Sequence, residues 1–316
     1  MVQASVGYQC PECVKSANQG VRQARNIAGV RLRPPGMPVV TYTLIGLNVL
    51  MFGLQQIVNK PVVGTLGNTP YLFSPFDLRL GLLAKSWAEG QPIGVANGEW
   101  YRLVTSMFVH ASVMHIAMNM VSLFFIGPML EMLIGRLRFA LVYFVGGIAG
   151  GAASYFFMTE VSGPSVGASG AISAVFGCLI VIGLRRKILN VNSIIVVLVL
   201  NVFLTVQNSG IDWHDHAGGI AAGALMGATF AYGPEVVKLL GRTSDTAAQK
   251  LKLLSTVQFA AMALVLIAAA GSTALHTSDL NDPASRTRSA DNSQTLGTSG
   301  PNGQLEPTAH DLQAKL

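Results

Sequence analysis

Seven runs of apolar residues dominate the sequence, near 39–58, 113–134, 138–158, 168–184, 191–207, 214–232 and 253–275. A helix of about 20 apolar residues crosses the hydrocarbon core of a bilayer. A chain carrying seven such runs is constrained to an all-α polytopic membrane fold. Composition agrees: 11% of the 316 residues are charged, against about 25% in soluble domains. The first run follows Pro34, Pro35, Gly36 and Pro38, which mark the start of a helix rather than continue one. It starts too late for a cleavable signal peptide and no A-x-A site follows it.

Charge sets the expected orientation. Lys15, Arg22, Arg25, Arg31, Arg33, Arg136, Arg138, Arg185, Arg186, Lys187, Lys238, Arg242, Lys250 and Lys252 fall on one side of the spans, whereas loops 159–167 and 208–213 hold no Lys or Arg. The positive-inside rule then places the N-terminus in the cytoplasm and the C-terminus outside. Basic residues set between apolar blocks, rather than clustered on one face, argue against nucleic acid as a partner. The lipid bilayer is the partner this pattern implies.

The runs and the stretches between them divide the chain into a cytoplasmic segment 1–38, six spans within 39–232, a linker with a seventh span 233–275, and a tail 276–316. The tail is rich in Ser, Thr, Asn, Asp, Gly and Pro, and its composition predicts disorder. Loop 59–112, with Tyr71, Phe73, Trp87, Trp100 and Tyr101, is too long to be structureless and is expected to fold back on the bilayer surface. Three cysteines build no disulfide framework. Cys178 lies in an apolar run and reads as a small hydrophobe. Cys10 and Cys13 form a lone CxxC that supplies two of the four ligands of a structural zinc. In a reducing cytoplasm the expectation is a thiol pair, and no cofactor is expected.

Polar residues inside spans are costly and mark function by default. His115 and Asn119, four apart, share one helix face near the start of the second span. Gly167-Ala168-Ser169-Gly170 opens the fourth span, and His214-Asp215-His216 opens the sixth, running into Gly218, Gly219 and Gly223. Three polar clusters thus lie at one depth near the outer surface. A serine hydroxyl needs a base, and histidine has a suitable pKa. Ser169 at a helix start sits where an oxyanion is favoured, and His115 and Asn119 can donate to that oxyanion. Gly167 and Gly170 let a peptide backbone approach, while Gly219 and Gly223 form a small-residue face for close helix packing. His214 and Asp215 read as satisfied surface residues at a helix end.

At these residues the chain resembles the rhomboid intramembrane proteases. The resemblance covers roughly 39–232, and it implies a rhomboid-like six-helix bundle with a seventh C-terminal transmembrane helix. The family's GxSG motif matches Gly167–Gly170 and implies Ser169 as nucleophile. Its histidine-glycine motif matches His216, Gly219 and Gly223 and implies His216 as base. Its HxxxxHxxxN pattern matches His110, His115 and Asn119, the last two as oxyanion stabilisers. Trp100-Tyr101-Arg102 resembles the tryptophan-arginine motif of the first outer loop, giving Arg102 a structural role. Glu131, Gly135 and Arg136 resemble the polar end of the second helix. The chain departs from the family where an aromatic residue four after the nucleophile stacks on the imidazole: here that position is Ser173, leaving Phe176 or packing to hold the base. Cys10-Pro-Glu-Cys13 is similar to the end of a zinc module of some bacterial rhomboids, and is expected as its truncated remnant.

The resemblance implies a serine endopeptidase of a bacterial cell membrane, acting through a Ser-His dyad on single-pass or other transmembrane substrates. Its rival is a proteolytically inactive relative that binds membrane helices. A transporter should carry polar residues across the full depth of the membrane, and here they stop at the outer half. The lack of an HExxH motif argues against a metalloprotease. Cleavage-site preference and oligomeric state are not encoded legibly.

Overall fold

The computed structural model describes residues 2–3, 8–13, 37–58, 62–66, 69–88, 90–187, 212–241 and 246–282. The span expected near 191–207 and the tail from 283 lie outside the described residues. Among the described residues six helices are long and apolar enough to cross a membrane. They are α1 (Val39–Ile57), α4 (Val113–Ile134), α5 (Arg136–Phe157), α6 (Ser169–Arg186), α7 (Trp213–Leu240) and α8 (Ala247–Asn281). Between α1 and α4 lie two short helices, α2 (Pro75–Leu80) and α3 (Arg102–Thr105). Leu50, Phe125, Leu264 and Ile267 are exposed, which suits side chains that face lipid rather than water. The chain is an integral multi-pass membrane protein.

The α1 N-terminus shows how the bundle is tied together. Pro38 offers it no side-chain cap, so its first N–H groups need partners from elsewhere. Glu131, buried near the end of α4, supplies them: Val40 N–H donates to Oε1 at 3.1 Å and Thr41 N–H to Oε2 at 2.8 Å. The Thr41 hydroxyl also donates to Oε2, at 2.8 Å. A carboxylate is favoured at this end of the helix dipole. Immediately afterwards Gly135, at φ 88°, turns the chain from α4 into α5, a conformation that favours glycine.

Among the described helices α6 and α7 make the most extensive contact, and glycine is the reason. A Cβ on Gly223 would fall on the Ala174 backbone, one on Gly227 would come 2.8 Å from the Cys178 carbonyl oxygen, and one on Gly219 would meet the Gly170 carbonyl. Backbones this close are what small-residue faces allow.

Loop 59–112 has structure of its own. After an N-terminal hairpin of β1 (Val2–Gln3) and β2 (Tyr8–Gln9), four strands form an antiparallel sheet in the order β4-β3-β5-β6. They are β3 (Val62–Leu66), β4 (Thr69–Phe73), β5 (Ser86–Ala88) and β6 (Gln91–Ile93). Arg102, 1% exposed, locks this region: it donates to Glu99 Oε2 at 2.7 Å, the Gly81 carbonyl at 2.7 Å and the Leu78 carbonyl at 2.8 Å. Arg102 thus ties Glu99 to the backbone at Leu78 and Gly81.

The seventh expected span, α8, runs on to Asn281, past the expected end at 275. At one end Arg138 of α5 donates to Gln258 Oε1 at 2.8 Å and Ser255 Oγ at 3.0 Å. At the other, His276 Nε2 lies 2.8 Å from the Met158 carbonyl and Asn281 donates to the Ala96 carbonyl at 2.9 Å. Arg138 is thus buried between helices (9% exposed) rather than in a loop.

Candidate active site

α4, α6 and α7 all begin at the same end of the bundle, and the three polar clusters sit on their first two turns. Ser169 is the first residue of α6. The segment before it is fixed by backbone hydrogen bonds: Leu82 and Ser165 pair in both directions at 2.9 Å, and Gly167 N–H donates to the Ser106 carbonyl at 2.9 Å. Ala168, fully buried, is the N-cap and makes no side-chain cap bond. The segment between α5 and α6 therefore holds the serine in place.

Gly167 has φ 129°, strained for any other residue, and it is crowded by the second cluster. A Cβ there would stand 2.7 Å from His115 Nε2 and 3.6 Å from Asn119 Nδ2. His115 and Asn119 thus converge on the backbone two residues before Ser169. Asn119 is 7% exposed, and among the described residues its Nδ2 has no hydrogen-bond partner. A buried donor without a partner costs stability, which suits a group reserved for an oxygen arriving with a substrate.

His110 lies just before α4, outside the membrane-spanning segment. Its ring meets that of His115 edge-on, with centroids 5.1 Å apart. Gln55 of α1 grips its backbone, donating to the His110 carbonyl at 3.2 Å and accepting from the His110 N–H at 3.0 Å. Burial, reinforced by the neighbouring His115, pushes the His110 imidazole down to about 3.

The third cluster departs from expectation. Asp212 caps α7, accepting from the His214 and Asp215 N–H groups at 3.1 and 3.2 Å, and its other oxygen bonds the Ser154 hydroxyl. His214 is part-buried, stacked on Phe157 at 4.3 Å. Asp215 is no surface residue: its Oδ2 lies 3.4 Å from Ser169 Oγ. The carboxylate enters where Gly150 and Gly170 leave room, since a Cβ on either would come within 2.6 Å of it. His216 follows Asp215 in the first turn of α7. Ser173, in place of the family's aromatic, packs against Gly219, where a Cβ would come 3.2 Å from the Ser173 Cβ.

Asp215 and Glu99 are the residues that sequence reasoning passed over. Glu99 was legible only as a charge three residues from Arg102. Asp215 had a signal in the small residues of two other spans, but not one that identified their common neighbour. Cys10 and Cys13 are exposed and outside any disulfide. Among the described residues no third ligand joins them to hold a metal.

A multi-pass helical bundle with a serine at a helix start, faced by histidine- and asparagine-bearing helices, defines a class of intramembrane protein with a candidate hydrolytic site. Comparison narrows the class. The Rhomboid domain family model matches residues 97–233. The rhomboid relative YdcA of Bacillus subtilis is 36% identical over 161 residues, 49% of this chain and 80% of the relative. Rhomboid protease GluP of the same organism is 34% identical over 192 residues, 60% of this chain and 34% of GluP. RHOMBOID-like protein 1 of Arabidopsis thaliana is 32% identical over 190 residues, 58% of this chain and 45% of the relative. The chain belongs to the rhomboid family. It spans about a third of GluP's length.

Proposed function

We propose that the chain is an intramembrane serine endopeptidase, with Ser169 as nucleophile and His216 as base. The observation that carries this is the meeting of His115 and Asn119 with the Gly167–Ser169 turn, together with the contact between Ser169 and Asp215, the residue next to His216. Kinship with a relative named rhomboid protease supports the same reading.

In this mechanism a transmembrane substrate unwinds locally and presents a peptide carbonyl to Ser169. Oγ bonds to the carbonyl carbon while His216 takes its proton. His115, the Asn119 amide and backbone N–H groups at the start of α6 hold the oxyanion. The C–N bond breaks, His216 gives its proton to the leaving amine, and water releases the acyl-enzyme. Gly167 and Gly170 clear the approach for the substrate backbone, and Gly219 and Gly223 hold α7 against α6. We place the protein in a bacterial cell membrane with the N-terminus cytoplasmic, so that the site lies near the outer surface.

The test is cleavage of a single-pass substrate in proteoliposomes. Wild type should cut it, with Ser169→Ala and His216→Ala inert. Binding of the substrate helix without cleavage by wild type, at rates matching both variants, would favour the inactive helix-binding relative.

A further inference from the structure

Asp215 carries a charge-bearing side chain to the junction of three helices, yet the mechanism above gives it no task. Its Oδ2 accepts from the Ser169 hydroxyl at 3.4 Å. α5 and α6 are shaped around it. A Cβ on Gly150 would stand 2.6 Å from Oδ1, and one on Gly170 would stand 2.6 Å from Cγ. Asp212 fixes the Asp215 backbone from below through its N–H at 3.2 Å. Residues on three elements thus place one carboxylate beside the nucleophile.

A serine side chain has three staggered positions about χ1. Contact with Asp215 selects the one directed at α7, the helix that also bears His216. We propose that Asp215 is a positioning residue for Ser169, holding Oγ on the α7 side so that attack starts from the correct rotamer. It exchanges no proton with the substrate. This rests on the assignment of Ser169 as nucleophile.

Restricting three rotamers to one, with a modest hydrogen bond, amounts to roughly threefold to tenfold in rate. The experiment measures kcat, KM and the rate of fluorophosphonate labelling for wild type, Asp215→Ala and Asp215→Asn, with thermal unfolding of each. Asp215→Ala should lower kcat and labelling by the same factor, leaving KM and the unfolding midpoint in place. Asp215→Asn, which keeps an acceptor oxygen in position, should recover most of the loss. If Asp215→Ala does not fold, Asp215→Ser, too short to reach Oγ, replaces it. A rate at or above wild type in the truncated variant overturns the proposal, as does an equal loss in Asp215→Asn or an effect on KM alone. Ser169→Ala in parallel separates the two ideas: if it still cleaves, the nucleophile assignment falls. If it is inert while Asp215→Ala is unimpaired, only the positioning role falls.

Discussion

Replacing Arg102 should unlock loop 59–112 by a calculable amount. Its guanidinium is 1% exposed and donates to three acceptors, two of them the Gly81 and Leu78 carbonyls. In Arg102→Ala both carbonyls lose their partner, at about 1–3 kcal/mol each for a buried unpaired group. Glu99 loses its ion pair too, but its side chain is 26% exposed and rehydrates, so this adds only about 1 kcal/mol or less. The total is on the order of 3–5 kcal/mol. Arg102→Lys keeps the charge without the planar fork and should cost about half as much. Native-state hydrogen exchange reads this locally. The Gly94 N–H donates to Glu99 at 2.6 Å, and Val95 and Ala96 donate to the Leu83 and Ala84 carbonyls at 3.0 Å. These amides should lose protection by that amount while the middle of α5 and α6 keeps most of its own, because local opening is cheaper than global unfolding. Unchanged protection at Gly94 and Ala96, or equal loss throughout α5, would refute the argument.

Further expectations concern packing and pH. Gly223→Val places side-chain atoms on the Ala174 backbone, which cannot yield. It should cost about 1–3 kcal/mol or more and reduce cleavage at least tenfold, whereas Gly271→Ala, with nothing among the described residues within 4 Å of an added Cβ, should be neutral in both assays. Gln258→Leu removes the buried acceptor of Arg138 Nε and leaves only the part-buried bond to Ser255, so it should lower the unfolding midpoint more than Ser255→Ala does, in thermal scans of the detergent-solubilised protein. His110 is neutral in the fold, held at about 3 against an ordinary 6.5. The unfolded chain therefore binds the extra proton, and stability present above pH 6.5 is lost as pH falls toward 3. The unfolding midpoint of wild type should drop between pH 6.5 and 5 more steeply than that of His110→Gln; parallel curves would contradict the assignment.

The bilayer explains what could be read beforehand. It imposes a length on each span, so the positions of α1, α4, α5, α6 and α7 were visible as apolar runs. It also makes a polar residue conspicuous, so Ser169, His115, Asn119 and His216 stood out against their surroundings. Contacts between distant residues were less legible. Glu131 caps a helix 90 residues earlier, and nothing local in either segment names the other. In sequence Asp215 reads as a surface residue because a charge at a helix end usually is one. Its room is made by Gly150 and Gly170, on two other helices, and only their arrangement in space brings the three together. The sheet within 59–112 is not legible because strands of three to five residues, interrupted by Gly64, Pro70 and Pro92, carry no usable alternation.

The most direct test of the account is fluorophosphonate labelling of the purified protein in detergent, with the modified residue located by mass spectrometry. The account predicts an adduct on Ser169 in wild type and none in Ser169→Ala or His216→Ala. An adduct at another residue, equal labelling of all three proteins, or no labelling beside a reactive rhomboid control would contradict it.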